Sequence, residues 1–106
     1  MTSKILYNVT VKIDLSVHED WVDWMKKIHI PEVLATHLFE SHKMSRIQDE
    51  DEEDGITYAI QYVCLDQEKF KVYQSDFAPN LQKEHSERYG GKFIAFRTIM
   101  HIIDES

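Results

Sequence analysis

Two histidines and one arginine have neighbours and spacings that suit proton transfer or anion binding. His29 lies in the segment WMKKIHIPEVLAT, where an amphipathic helical pattern meets Pro31. His85 and Arg88 lie three residues apart in EHSERYGG, and this spacing places them on one helix face. A neutral histidine can accept a proton near neutral pH, and a guanidinium can hold a carboxylate or enolate oxygen. The catalytic candidates are therefore His29 and His85 as bases and Arg88 as the anion-holding group.

The same three residues also have a purely structural explanation. A basic side chain in the last turn of a helix can bond free carbonyl groups and, when charged, offset the negative helix end. His29 precedes a proline, and His85 and Arg88 precede Gly90, so all three occupy such positions. We prefer the structural explanation for each residue and keep the catalytic one open.

Other residue types that commonly carry chemistry have no functional spacing. No HxH or HxxxH pair occurs, so we expect no metal site. Cys64 is the only cysteine and ends an apolar strand pattern, which predicts a buried structural thiol rather than a nucleophile. The chain has three glycines and no glycine-rich loop that could cradle a phosphate, so we expect no cofactor.

Composition restricts the class of partner and the compartment. The chain has 106 residues, the size of one domain, so we expect residues 1–106 to form a single domain. A formal net charge of −7 argues against nucleic acid or an anionic membrane as partner. No apolar run approaches the roughly 20 residues of a membrane-spanning helix, and the segment MTSKILYNVTVKID lacks the pattern of a signal peptide. Together with the single cysteine, these features indicate the cytoplasm.

Hydrophobic periodicity predicts six elements in the order β-α-β-β-α-β. One helix follows Ser16 and should end or bend near His29, and a second helix begins after Asp66 and ends at Gly90. This order is typical of a ferredoxin-like α+β fold, a four-stranded antiparallel sheet with both helices on one face. The predicted strands cover residues 4–13, 42–48, 56–64 and 92–103.

Alternation assigns the strand residues to two sheet faces. The helix-covered face should be the more apolar one and should include Ile94, Phe96, Met100 and Ile102 of the last strand. The opposite face is too apolar for water and too polar for a sealed core, which predicts that two copies pair there as a homodimer. A buried guanidinium needs a partner, so Arg97 is placed in this contact, with an anionic ligand inside the assembly as the alternative. The predicted interface consists of Asn8, Thr10, Gln61, Phe93, Arg97 and Ile99.

A pocket for a small molecule is expected between the helices and the sheet. Its walls would combine aromatic and apolar side chains with the two candidate histidines. The predicted ligand-binding residues are Trp24, Ile28, His29, Tyr58, Phe77 and His85.

Three long segments carry a resemblance to a known family. ILYNVTV, WMKKIHIPEVLAT and EHSERYGGKFIAFRT, together with the βαββαβ order, resemble an uncharacterised family of short bacterial proteins, a domain of unknown function. That family looks like a branch of the dimeric α/β-barrel superfamily. The resemblance implies a ferredoxin-like protomer and a dimer closed by facing sheets. The superfamily includes cofactor-free monooxygenases, haem-degrading enzymes, lactone isomerases and small-molecule sensors, so the resemblance implies no single activity and assigns no catalytic residue.

Three functions are compatible with these observations. The first is a homodimeric small-molecule-binding or accessory protein without assigned catalysis. The second is a cofactor-independent monooxygenase or isomerase acting on a small carbonyl or phenolic substrate. The third is an interaction module that acts through its outer helix faces. The second function predicts two polar groups converging within about 3–4 Å of a common empty point in an enclosed cavity. A filled core with His29 and His85 bonded to the backbone would favour a non-enzymatic role. The third function predicts no cavity and an exposed apolar patch outside the dimer contact.

Overall fold

A four-stranded antiparallel sheet is the centre of the molecule. The structure is a computed structural model and describes residues 3–48 and 51–106. The strand order is β2-β3-β1-β4, which confirms the ferredoxin-like α+β fold predicted from the sequence. The strands are β1 (Ile5–Asp14), β2 (Phe39–Arg46), β3 (Gly55–Cys64) and β4 (Phe93–His101).

Two helical arms cover one face of this sheet, and each contains a π-helical turn. The first arm consists of α1 (His18–Trp24), a π-helical turn (Met25–His29) and α2 (Ile30–Leu34). The second arm consists of α3 (Gln67–Val72), a π-helical turn (Tyr73–Phe77) and α4 (Ala78–Tyr89).

Of the two outcomes predicted near His29, an end or a bend of the first helix, the helix does not end there, because the π-helical turn Met25–His29 leads directly into α2. A proline inside a helix lacks the amide hydrogen and crowds the carbonyl four residues earlier. For Pro31 and Pro79 those carbonyls belong to Lys27 and Ser75, and each lies within a π-helical turn. The wider turn accommodates the proline, and the helix continues beyond it.

The core lies between the sheet and the arms. The cluster includes Trp21, Phe70 and Tyr62, which are almost fully buried. Asp66 caps α3 by accepting a hydrogen bond from the backbone N–H of Lys69 at 2.8 Å. Cys64 is buried, as the sequence predicted. No helix in the described part of the chain is long and apolar enough to cross a membrane.

The two faces of β4 are the reverse of the sequence prediction. Val9 is paired with Arg97 and Tyr7 with Ile99, so these β4 residues share the helix-covered side with the β1 core positions. Ile94 and Phe96 lie on the other side, where they are 72% and 61% exposed. Apolar residues occur at both odd and even positions of this strand, so alternation alone does not determine which face is buried.

Gly55, the first residue of β3, lies where the backbone of β1 leaves no room for a side chain. A Cβ atom here would lie 2.5 Å from the carbonyl oxygen of Ile13. We expect Gly55→Ala to lower the free energy of unfolding by about 1–3 kcal/mol, measured by urea denaturation, because the strands must separate to admit the methyl group. Asp54→Ala, an exposed neighbour, is the control. Equal stability of the two variants would show that the hairpin shifts freely.

Candidate ligand-binding cleft

A cleft opens between the helical arms and strands β1 and β4. Its inner part, the inner chamber, is small. Its volume of about 30 Å³ corresponds to about two water molecules. The adjoining outer cleft is larger, about 210 Å³ on the same measure. Four residues line both spaces and form the passage between them: Tyr7, Tyr73, Gln82 and Arg97.

Two imidazoles line the inner chamber. His29 ends the π-helical turn of the first arm, and His85 lies in α4 of the second arm. Their ring centroids are 5.8 Å apart. Trp21 donates its Nε1–H to His85 Nε2 at 2.9 Å. Because this nitrogen accepts, a neutral His85 carries its proton on Nδ1.

Both imidazoles are uncharged at neutral pH. Burial lowers the pKa of His29 to about 4, an effect that Glu84 opposes and Arg97 reinforces. Burial also lowers the pKa of His85 to about 4, and the neighbouring His29 and Arg97 reinforce the effect. Within the described residues, His29 Nδ1 is buried without a hydrogen-bond partner. The chamber therefore offers neutral hydrogen-bonding groups, and a base with so low a pKa is weakly suited to proton abstraction near pH 7.

Arg97 lies at the passage between the two spaces and carries the only formal charge among the described residues that line them. Its Nε–H donates to the hydroxyl of Tyr7 at 3.1 Å. Burial raises the pKa of Tyr7, while Arg97 acts in the opposite direction. Burial likewise raises the pKa of Tyr62 and Tyr73, so all three phenols are neutral at pH 7. No acidic residue of the described chain lines either space.

The structure brings together only part of the predicted ligand-binding set. His29 and His85 line the inner chamber, and Trp24 packs behind them, with its ring centroid 5.1 Å from that of His29. Ile28 is instead 45% exposed at the surface. Phe77 lines a separate shallow depression beside Glu32. Tyr58 points elsewhere, with its hydroxyl 2.8 Å from His18 Nε2.

Arg88 does not accompany His85 into the cleft. Its Nε–H donates to the hydroxyl of Tyr89 at 3.1 Å, and its guanidinium lies 3.6 Å from Asp20 on the outer surface. His85 and Arg88 are three residues apart on α4, but their side chains lie in different environments, His85 in the inner chamber and Arg88 at the surface beside Asp20. Arg97 takes the position near the histidines that the sequence gave to Arg88.

Sequence reasoning missed four residues of the passage as a set. Tyr7, Tyr73 and Gln82 were not among the predicted site residues, and Arg97 was assigned to the wrong sheet face. A charged residue in the apolar segment KFIAFRTIM was the available signal, and the sequence did indicate an anionic ligand as an alternative for Arg97. The sequence did not determine how β4 aligns with β1, so it could not assign Arg97 to the correct sheet face.

The sheet face away from the helices, here called the open face, contains half of the predicted interface. Asn8, Thr10 and Gln61 lie there, whereas Phe93, Arg97 and Ile99 lie on the helix side. Asn8 is only 8% exposed. Its Nδ2 donates to Thr10 Oγ1 at 2.9 Å, but within the described chain its Oδ1 has no partner. The open face thus combines a buried free acceptor with the exposed apolar side chains of β4.

In a comparison with known families, a model described as a domain of unknown function (DUF4286) matches residues 4–103. No curated protein matches the chain. Among the described residues, no group of three His, Cys, Asp or Glu side chains is placed to hold a metal ion.

Several solved structures share the fold. A dimeric ferredoxin-like protein from an uncultured marine organism is 11% identical with a TM-score of 0.62, and the match covers 98% of this chain and 99% of that one. A dimeric ferredoxin-like protein of unknown function from Thermobifida fusca YX is 9% identical with a TM-score of 0.66, covering 96% and 93%. A mutant of SnoaB, a cofactor-independent oxygenase from Streptomyces nogalater, is 10% identical with a TM-score of 0.69, covering 97% and 96%. At these identities the likeness establishes the fold alone.

Proposed function

The chain belongs to the DUF4286 family, a domain of unknown function, and from its geometry we propose a homodimeric protein that binds a small molecule in the cleft without assigned catalysis. The observation that carries this proposal is the lining of the inner chamber. His29, His85 and Arg97 come from three different elements and meet at one cavity. A few polar groups converging in a mostly apolar pocket are typical of ligand sites.

The proposed dimer forms through the open face. Ile94 and Phe96 would leave water on pairing, and a donor from a second copy would satisfy Asn8 Oδ1. In an acidic chain, facing copies need a surface with few carboxylates. The β-pairing places Lys12 and Lys43 on this face, together with Asp14 at the end of β1. Two similar structures are described as dimeric ferredoxin-like proteins, which supports the same assembly here. We also propose a cytoplasmic location, because the single thiol suits a reducing compartment.

A second candidate is a cofactor-independent monooxygenase or isomerase. The free Nδ1 of His29 beside the guanidinium-bearing passage favours it, as does the fold shared with SnoaB. Arg97 would hold a developing oxyanion while His29 accepted a proton. Oxygen consumption or isomerisation of a bound carbonyl or phenolic compound, abolished in His29→Gln, would support this candidate. Binding without turnover would favour the first.

A bulky side chain that fills the passage tests the binding function. Gln82 is half-buried on α4 and lines both spaces, so Gln82→Trp should fill the passage without loss of the fold. In a small-molecule screen followed by melting temperature, a ligand at 100 times its Kd stabilises the native state by about 2.7 kcal/mol. This corresponds to a rise of about 10–20 °C in the wild type. We expect Gln82→Trp to abolish the rise.

Lys83→Trp provides the matched control, since it adds the same side chain one residue further along α4 at an exposed position. It should retain the full response to every ligand found. Ligands that stabilise wild type and Gln82→Trp equally would bind elsewhere and would contradict the proposed cleft.

A further inference from the structure

We infer that the ligand of this cleft is a small monocarboxylate with a flat, unsaturated body, whose carboxylate binds Arg97. The inference rests on the proposed binding function and adds the chemical class of the ligand. It follows from the unbalanced charge of Arg97, from the neutrality of its surroundings and from the shape of the passage.

Arg97 differs from the other two arginines in having no counter-ion. Arg46 lies 2.7 Å from a Glu52 oxygen, and Arg88 lies 3.6 Å from an Asp20 oxygen. Arg97 forms no ion pair with any residue in the ranges 3–48 and 51–106; its hydrogen bond goes to the neutral hydroxyl of Tyr7. That bond uses Nε–H, so the terminal amino groups of the guanidinium remain free to form a two-point contact with a carboxylate.

The surroundings of Arg97 favour an anion although the chain as a whole is acidic. The chain contains 19 Asp and Glu residues, yet none in its described part lines the inner chamber or the outer cleft. The phenols and imidazoles that line the chamber are neutral at pH 7, so they neither compensate the guanidinium nor compete with a ligand. Among the described residues that line the two spaces, the one formal charge is therefore the positive charge of Arg97.

The amount of charge distinguishes a carboxylate from a phosphate. One guanidinium balances one negative charge, and the other lining groups are neutral. A phosphate monoester carries nearly two negative charges at pH 7 and is ordinarily held by several cations or by a ring of backbone N–H groups. A carboxylate matches the single guanidinium in charge and in planar geometry.

The shape of the passage accounts for the flat body. The rings of Tyr7 and Tyr73 line both spaces, and Pro79 and Ile99 complete the apolar wall of the outer cleft. Aromatic side chains pack best against flat, unsaturated groups. The outer cleft of about 210 Å³ accepts one ring, whereas the inner chamber of about 30 Å³ accepts only a small substituent beside the imidazoles.

The test compares benzoate, benzamide and phenyl phosphate in NMR titrations of the full chain. These probes share a ring and differ in the charge of the attached group. We expect benzoate to bind more tightly than benzamide and phenyl phosphate, with shifts at the Arg97 Nε–H signal. Arg97→Gln should weaken benzoate by about tenfold or more, because a hydrogen bond to a charged group is lost, and should leave benzamide nearly unchanged. Arg46→Gln removes a surface arginine from β2, at the opposite edge of the sheet from β4. This variant should bind all three probes as the wild type does.

The outcomes separate the inference from the proposed function. Benzamide or phenyl phosphate binding the cleft as tightly as benzoate would overturn the carboxylate class and leave the binding function intact. Unchanged benzoate affinity in Arg97→Gln would overturn the role of Arg97. If no probe shifts any cleft signal up to its solubility limit, the inferred class is wrong, and the screen with Gln82→Trp then decides the binding function separately. The two-dimensional spectrum of each variant shows whether it is folded.

Discussion

Phe96→Glu is expected to convert the proposed homodimer into folded monomers. Phe96 is paired with Thr10 on the open face and is 61% exposed in the single chain. A carboxylate in the contact would be buried without a partner, which costs about 3–5 kcal/mol. Because a two-fold contact contains each residue twice, the loss is about 6 kcal/mol or more, or four orders of magnitude in Kd. Sedimentation equilibrium measures this directly.

Ile103→Glu provides the control for this substitution. Ile103 is 94% exposed beyond the end of β4, so the variant replaces an exposed apolar residue by a charge away from the paired strands. It should remain dimeric. A wild-type particle of 12.6 kDa, or a dimeric Phe96→Glu with an unchanged circular dichroism spectrum, would contradict pairing through the open face.

The exposure of Phe96 on the open face shows which part of the sheet the sequence predicted correctly and which part it did not. The alternation of apolar residues in β1 correctly predicted which face of this strand is buried, because Ile5, Val11 and Ile13 lie on one face and are all buried. In β4 the apolar residues occupy both parities, so the buried face depends on pairing with β1, a contact between strands distant in the sequence. The fold and the presence of an exposed sheet face were therefore predictable, but the residues of β4 that form this face were not.

The cleft was predictable only in part for a related reason. His29 and His85 were identified from their own surroundings, and both line the inner chamber. Their neighbour Arg97 comes from the strand whose faces were reversed. The π-helical turn that presents His29 depends on a local widening of the helix before Pro31, whereas the sequence pattern predicted only that the helix ends or bends near His29. A site built from three elements requires both the register and the local helix geometry.

Acid is expected to destabilise the protein through the two buried histidines. Their folded pKa is lowered from 6.5 to about 4, so between these values the unfolded chain binds more protons than the native one. The free energy of unfolding therefore rises with pH in this window; the contribution is fully present above pH 6.5 and is lost as the pH falls to about 4. Each histidine accounts for about 3 kcal/mol.

The groups around His29 determine the size of this effect. Glu84 from α4 raises its pKa, Arg97 from β4 lowers it, and His85 lies 5.8 Å away, so protonation of one ring opposes protonation of the other. Carboxyl groups elsewhere titrate in the same range, which makes the difference between variants more informative than the wild-type curve. We expect His29→Gln to lose about 3 kcal/mol less than the wild type between pH 6.5 and 4, measured by urea denaturation at a series of pH values.

His101→Gln, at an exposed position at the end of β4, gives the reference slope for replacing a histidine outside the core. If His29→Gln and the wild type show the same pH dependence while NMR titration finds the His29 imidazole charged at pH 6, the chamber admits bulk water. In that case the neutral surroundings of Arg97 would be lost as well, because a charged imidazole beside it would provide a second cation. A lowered pKa measured for His29 together with the smaller slope would support both the enclosed chamber and a passage with one positive charge.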